Sequence, residues 1–511
     1  MLDKIIDYLS PEWGMKRRYA RKINAVSDAY NVGSTTRRRT QHFAPALRSS
    51  PNQDYSQGTQ AVSVARCADL YRNEPLARAA VNRRVFNSVG TGITVQAKID
   101  HEYLGLTQED ATKLNRDLDM GFKLHSQSCD ISLNRQLNLN EIQHQTLLSM
   151  ANRGDCFVNS IFLPRPGSLF SLRLQVIEGD RVSNPGYTAD SEKIVRGIEY
   201  GPDGEEAFYY VSNLVRAQYN FPTRWQKLRV WGENTGRRLA FHIFDQERPE
   251  LARGIPYLAP VAERIKFLSE LAGSELDRAL ISSFFTVFVK SEAGNVTLPS
   301  ESLLTQDTQI IQQEQISGEI SLGPGASINL ASNEDVQFAD PKSPNGLFEP
   351  FFMALATEIG AATNVPVEML LLKFSTSYTA ARAAIIQAYK HFDHDIRLLI
   401  QHLVKPVYEL YVDERVAMGD LPVSNYNDPR ERAAWARASY VPAQRASIDE
   451  VKDIEAATKR VDLGVSNRQI ESERLQTGDI NDILAQAAVE AKLLEKAGIQ
   501  QKQKEITNAV S

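Results

Sequence analysis

The fold class that this 511-residue chain predicts is α+β and mainly helical. Three observations predict it. Between Ile93 and Phe244, short alternating segments are separated by Gly, Pro and Asp clusters, which is the pattern of strands and turns. From Leu258 to Val287 and from Ile385 to Leu410, apolar residues recur at steps of three and four, the helical period. Between these rods, Ser291 to Asn345 loses helical period and holds Gly323-Pro324-Gly325-Ala326, so it reads as a small β-rich insertion.

The elements follow in order. Residues 1–60 form an N-terminal arm, rich in Arg, Ser, Asn and Gln over 11–60. An amphipathic helix fits Tyr19 to Tyr30, and the rest is extended and gains order against a neighbour. Residues 61–255 form a mixed domain. Ala61 to Val85 is helical, with Pro75 marking a break or a new first turn. Ile93 to Ala97 alternates as a strand, 107–125 and 138–152 are helices, and Gly154-Asp155 turns the second into a strand, Cys156 to Leu163. Leu172 to Ile177, Ile194 to Tyr200, Ala207 to Ser212 and Leu239 to Phe244 are further strands.

Pro256 and Pro260 open a helix over 256–290, where a missing N–H costs nothing, giving a rod of roughly 45 Å. Its most apolar run, Ala279 to Val289, is too short to span a bilayer and reads as buried helix. After the insertion at 291–345, residues 346–364 make a second helix with Leu347, Phe348, Phe351, Phe352, Leu355 and Ile359 on one face. Pro366 forbids its continuation. An exposed loop follows in 365–377. Then 378–420 forms one long helix with a kink at Pro406. Residues 421–511 are helical in composition and punctuated by Gly464, Gly478 and Gly498.

Composition excludes several classes. A net charge of −5 gives no sign of a constitutive nucleic-acid binder. Cys67, Cys129 and Cys156 are far apart, with no C-x-x-C spacing, so neither a zinc site nor a disulfide framework is indicated and the compartment is read as reducing. Met1 to Ser10 lacks a signal-peptide core. No Gly-Lys dipeptide occurs, hence no Walker A loop. Gly90-Thr91-Gly92 lacks the third glycine of a dinucleotide loop, and no Gly-x-Ser-x-Gly elbow is present. His391, His394 and His402, with Asp393 and Asp395, share one helix, but His-Glu-x-x-His is absent and a solvated face is expected rather than a metal site. Asp203 and Glu205-Glu206 are read as solvated turn acids, Arg153-Gly154-Asp155 as a turn, and Asn295-Val296-Thr297 as a chance sequon. Lys16-Arg17-Arg18 and Arg37-Arg38-Arg39 fit either phosphate contact or docking on an acidic neighbour.

Several blocks together resemble a known family, the portal proteins of tailed bacteriophages, lambda type. Leu70 to Ala80 (LYRNEPLARAA) and Asn87 to Ile93 (NSVGTGI) look like its Arg-rich helix and glycine turn. His242-Ile243-Phe244-Asp245 with Arg253-Gly254-Ile255-Pro256 looks like its entry to the first long helix. Phe374-Ser375 with Tyr378-Thr379-Ala380-Ala381-Arg382-Ala383-Ala384 looks like its most recognisable motif. Gly464-Val465-Ser466 through Gly478-Asp479 to Glu490 and Gly498 looks like its C-terminal stretch. The blocks keep the family's order over nearly the whole chain.

The resemblance implies a wing, stem, clip and crown assembled as a homo-oligomeric ring, usually dodecameric, at a capsid vertex. The wing would hold 61–255 and 378–420, the stem 256–290 and 346–364, the clip 291–345, and the crown 421–511. Double-stranded DNA would be packaged and ejected through the channel. The tunnel loop would be 365–377, with Leu370, Leu371 and Leu372 as an apolar collar or Lys373, Ser375, Thr376 and Ser377 as the pore-side polar group. Clip residues Gln309, Gln313, Glu314 and Glu319 would dock the terminase large subunit and then head-completion or tail connector proteins. Major capsid and scaffold proteins are further implied partners, with a role in starting procapsid assembly. No enzyme activity, cofactor, metal or membrane is implied. The location would be the virion portal vertex, after assembly in the host bacterial cytoplasm. The alternatives are another head–tail connector or tail-tube ring, usually much shorter, and a nuclease or protease, for which no catalytic constellation is found.

Overall fold

The structure, a computed structural model, describes residues 50–213, 224–233, 235–283, 287–291, 334–338, 348–374, 378–443, 450–475 and 480–496. The chain divides into two compact units, Met1–Ser56 and Gln57–Ser511. In the first, α1 (Pro51–Asp54) opens on a capping box. Ser50 Oγ accepts from the Gln53 N–H at 3.2 Å, and Gln53 Oε1 accepts from the Ser50 N–H at 3.2 Å. The Lys16–Arg18 and Arg37–Arg39 clusters and the Tyr19–Tyr30 segment lie outside the described residues.

The second unit begins with α2 (Gln57–Asn73), so helix reaches four positions into the expected arm. Glu74 is extended, and Pro75 starts α3 (Pro75–Val89), which confirms a new first turn at that proline. β1 (Thr94–Ala97), α4 (His101–Leu104), α5 (Gln108–Gln127) and α6 (Leu139–Arg153) follow, with Thr107 capping α5 and an Asn138–Glu141 capping box opening α6. β2 (Asp155–Phe162) is the centre of an antiparallel sheet, flanked by β3 (Leu172–Glu178) and β8 (Ala240–Phe244). A second antiparallel sheet orders β4 (Ile194–Val195), β5 (Ile198–Tyr200), β6 (Glu206–Ser212) and β7 (Trp225–Arg229).

The period of two along β2 divides the core. Val158 joins Leu172, Leu174, Phe241 and Ile243 in the main hydrophobic cluster, whereas Phe157 joins Ile177, Ile198, Tyr209, Val211 and Leu228 in a second one. Ile194 to Tyr200 is therefore two strands and not one. Arg196 (φ 49°) and Gly197 (φ 85°) form a two-residue turn with both central residues left-handed, the geometry that suits a hairpin.

The first long helix is shorter than expected. A 3-10 turn at Ala259–Val261 leads into α7 (Ala262–Ser283). Residues 287–290, expected as its last turn, belong to strand β9 (Val287–Ser291), paired antiparallel with β10 (Glu334–Phe338). Val287-Phe288-Val289 is β-branched and aromatic, a composition that suits a pleated surface better than a helix end. The buried-helix reading of Ala279 to Val289 fails for a second reason: Leu280 is 52% exposed, and Leu276, one turn earlier, is 61% exposed. The remainder of 291–345, with Gln309, Gln313, Glu314, Glu319 and Asn295, lies outside the described residues.

α8 (Phe348–Thr363) packs on α7, with Arg264 Nε 3.3 Å from Glu358 Oε1 and the Phe267 and Phe351 rings at 6.5 Å. After α9 (Val367–Leu371), α10 (Tyr378–Leu399) runs through a π-helical turn at Ile400–Val404 into α11 (Lys405–Ala417). Pro406 has no N–H for the carbonyl one turn back, and the wider π turn precedes it.

The segment after residue 421 is not all helical. α12 (Pro429–Trp435) leads to β11 (Ala438–Val441), which pairs with β1, Thr94 opposite Val441. Trp435 is buried in the main cluster. α13 (Glu450–Asp462), α14 (Arg468–Leu475) and α15 (Ile480–Lys496) complete the described chain, with Arg460 and Glu471 in a two-pronged pair at 3.0 and 2.6 Å. Among the described residues no helix is long and apolar enough to cross a membrane.

Candidate functional site

The segment between α8 and α10 is built by local backbone chemistry. Asn364 takes a left-handed conformation (φ 57°), and the Val365 N–H reaches back to the Gly360 carbonyl at 2.9 Å, the six-to-one closure of a Schellman cap. A Cβ on Gly360 would lie 2.6 Å from the Val365 carbonyl oxygen, so the return of the chain over the helix end needs glycine there. Pro366 then prevents helix continuation and caps α9 instead.

α9 corrects the expectation of an exposed loop from Val367. Met369 and Leu370 are buried in the main cluster and Leu371 packs against it, so the expected three-leucine collar is divided. Two leucines anchor the segment, and only Leu372 is out, at 58% exposure. Leu372 itself is left-handed (φ 53°) and ends the short helix. Lys373 and Phe374 follow at the surface. Lys373 donates to Glu349 Oε1 at 2.7 Å, a carboxylate in the first turn of α8 of the same chain. Ser375, Thr376 and Ser377 lie outside the described residues.

A buried ionic node holds the base of this segment. Arg84 on α3 gives two parallel hydrogen bonds to Asp395 on α10, each 2.8 Å. Its Nη1 donates to the Thr363 carbonyl at 3.3 Å, the last residue of α8. Ser88 Oγ and Tyr257 Oη donate to the same carboxylate, both at 3.1 Å, and the guanidinium lies 3.6 Å over the Tyr257 ring. Burial pulls the Arg84 pKa down, but the Asp395 carboxylate and its surroundings more than offset this and hold it above its ordinary value. Four pieces of chain thus meet at one ion pair: α3, the approach to α7 and α10 at the carboxylate, and the end of α8 at the guanidinium.

Asp395 is therefore fully buried and does not lie on the solvated face expected for the 391–402 cluster. Its neighbour His394 is at the surface, 3.2 Å from Asp245. Among the described residues no group of three or more His, Cys, Asp or Glu is placed to hold a metal ion.

A second node joins the two sheets. Arg253 pairs with Asp155 through Nε and Nη2, and also donates to the carbonyls of Gly179, Val182 and Arg196 at 2.7–2.9 Å. His242 lies between two carboxylates, with Nδ1 2.9 Å from Glu206 Oε1 and Nε2 3.4 Å from Asp155 Oδ2. Its ring stacks on Phe157 at 4.2 Å. Glu206 thus belongs to a strand and a buried network, not to a solvated turn. Asp203 is exposed as expected, and Glu205 turns back to accept from its N–H at 3.1 Å. Gly154 and Gly254 pass so closely that a Cβ on either would strike the other's backbone. Asp155 closes the Arg153-Gly154-Asp155 turn and opens β2 as a buried anion.

Sequence reasoning missed Arg84 and Asp395 as a pair. The available signal was a charge on an apolar helix face in both cases: Arg84 among Val81, Val85 and Ser88, and Asp395 among Phe392, Ile396 and Leu399.

Residues 36–395 match the family described as phage portal protein, lambda family. The chain belongs to that family. The match contains both long-helix motifs, the 364–374 segment and both ionic nodes, and it ends at Asp395. This portal-family chain is 23% identical over 464 residues to Portal protein B of Escherichia phage lambda, covering 85% of this chain and 84% of the relative. It is 24% identical over 473 residues to the portal protein of Escherichia phage N15, covering 87% and 86%. Among solved structures it is similar to a chain from the neck of a native gene transfer agent (GTA) particle computed with C12 symmetry, at TM-score 0.43, 13% identity and coverage of 82% of this chain and 99% of that one. A chain from the neck of an empty GTA particle computed with C6 symmetry matches at TM-score 0.44 and 13% identity, covering 81% and 94%.

Proposed function

We propose that many copies of this portal protein form a ring at one vertex of a tailed-phage capsid, and that duplex DNA is packaged and later ejected through its axial channel. The single observation that carries this reading is the family match across residues 36–395. In the proposed arrangement Leu372, Lys373 and Phe374 reach the channel, and the Arg84–Asp395 node fixes the base from which they extend.

Two physical features support the reading. Phe267, Leu276 and Leu280 on α7 and Phe351 on α8 are large, apolar and exposed on a single chain. Each is worth roughly 1.5–3 kcal/mol when buried, and neighbouring copies around an axis supply the burial. The charge balance is the second. Duplex DNA carries one charge per about 1.7 Å of axis, and each phosphate neutralised tightens binding. A slightly acidic chain, with Lys373 as the one basic residue between Asn364 and Tyr378, suits sliding rather than gripping.

The chain itself is proposed to be non-enzymatic, with a separate packaging ATPase supplying the work. The insertion at 291–345 is the proposed docking end for the terminase and then for head-completion proteins. The test is DNA packaging by Lys373→Glu. Rings are expected to assemble while packaging slows or stalls, because a second carboxylate is set beside Glu349. Normal packaging by that variant removes Lys373 from the mechanism.

A further inference from the structure

The exposed tip of the channel segment has an arrangement that its sequence does not show. Lys373 stands between Leu372 and Phe374, which are 58% and 59% exposed. The lysine is not a free cation, because its ammonium is 2.7 Å from Glu349, 24 positions earlier in the chain. One feature favours the carboxylate in that place: Glu349 lies in the first turn of α8, where the helix N-terminus stabilises an anion. On the lysine side, the left-handed turn at Leu372 immediately precedes Lys373.

We propose that Glu349 is a charge mask for the channel: it occupies Lys373 so that the segment presents leucine and phenylalanine, rather than an open ammonium, to the passing duplex. This rests on the channel reading above and adds a residue that sets how strongly the channel holds DNA. Without the mask, every copy around the ring offers one more cation to the phosphates. Binding then gains a counterion-release component, and the slope of log K against log salt steepens by about 0.9 for each added phosphate contact. With the mask, the contact is apolar and lacks that component.

The test uses full-length assembled protein and a blunt linear DNA duplex, with binding measured across a salt series. Glu349→Gln is expected to steepen the salt dependence by about 0.9 or more. Lys373→Gln is expected to be no steeper than wild type, and the double variant is expected to return to the Lys373→Gln value. An unchanged slope in Glu349→Gln overturns the mask, as does an equal steepening in the Lys373→Gln background, which would reflect only the loss of an anion. Wild-type particles that package DNA while Glu349→Gln keeps the wild-type slope overturn the mask alone and leave the channel standing. DNA that passes without approaching residues 372–374 overturns both.

Discussion

His242 and His125 are both buried, yet their surroundings drive them in opposite directions. His242 loses solvation, which lowers its pKa, but Glu206 and Asp155 more than offset this and hold it above its ordinary 6.5. Arg253 and Arg238 face the same cluster, and His402 lies beside it. His125 is held down to about 4, by burial first and by the Arg173 guanidinium next, and its Nε2 has no hydrogen-bond partner among the described residues. The signs follow by linkage. The His242 contribution is complete below 6.5 and is lost as pH rises through its raised folded value. The His125 contribution is complete above 6.5 and is lost as pH falls toward 4. Hydrogen exchange, corrected for intrinsic rate, should therefore show β2 and β8 less protected at pH 8.5 than at pH 6. The end of α5 should be less protected at pH 5 than at pH 7. Greater protection of β2 and β8 at the higher pH would contradict the assignment. The glycine and proline residues around these sites were legible in the sequence, because their conformational demands are local. The buried charges were not: Glu206 and Asp155 sit beside turn residues, and nothing local distinguishes an acid that faces water from one that meets Arg253 or His242 from a distant part of the chain.

At the level of elements, the Arg84–Asp395 pair does more than fill space. It ties α3 to α10, and through the Thr363 carbonyl it ties both to the end of α8. Asp395→Asn keeps the shape but leaves the guanidinium buried without a counter-ion, and breaking such a pair costs about 3–5 kcal/mol. Denaturant unfolding should show a loss of that size, and limited proteolysis should cut faster at 364–374. A loss of only a few tenths of a kcal/mol would mean that the node does not hold the segment. Helix existence was largely legible: α3, α5, α6, α8 and the rod made of α10, the π turn and α11 fall within a few residues of their expected bounds, since an apolar stripe repeated over several turns is a strong signal. Besides β9, four features were not. β1 finds its partner β11 near the far end of the chain, and no local pattern encodes that pairing. α9 is too short for periodicity to reveal, β7 alternates too weakly, and the hairpin at Arg196-Gly197 lacks the usual Asn-Gly or Asp-Gly pair.

For the whole molecule, family membership and the exposed faces of α7 and α8 point to the same conclusion: the single chain is an incomplete object. Leu276 and Leu280 were legible as helix-face residues, but what covers them was not, because periodicity says that a face is apolar without saying which copy of which chain meets it. The 364–374 segment shows the same division. Its place between two long helices could be read from Pro366 and the Tyr378 motif. The burial of Leu370 and the engagement of Lys373 by Glu349 depend on tertiary packing.

The most direct measurement is site-specific crosslinking to DNA held in the channel during packaging. The surface thiol Cys129 is first replaced by serine, since Cys67 and Cys156 are buried. A short photo-crosslinker is then placed at Leu372→Cys, or at Met418→Cys as the control. Met418 is also exposed, but it lies at the far end of the α10–α11 rod, roughly 60 Å from Tyr378. Efficient DNA crosslinks from residue 372 and none from residue 418 are the predicted result. Equal labelling at both positions, or none at residue 372 in particles that package DNA normally, would contradict the account.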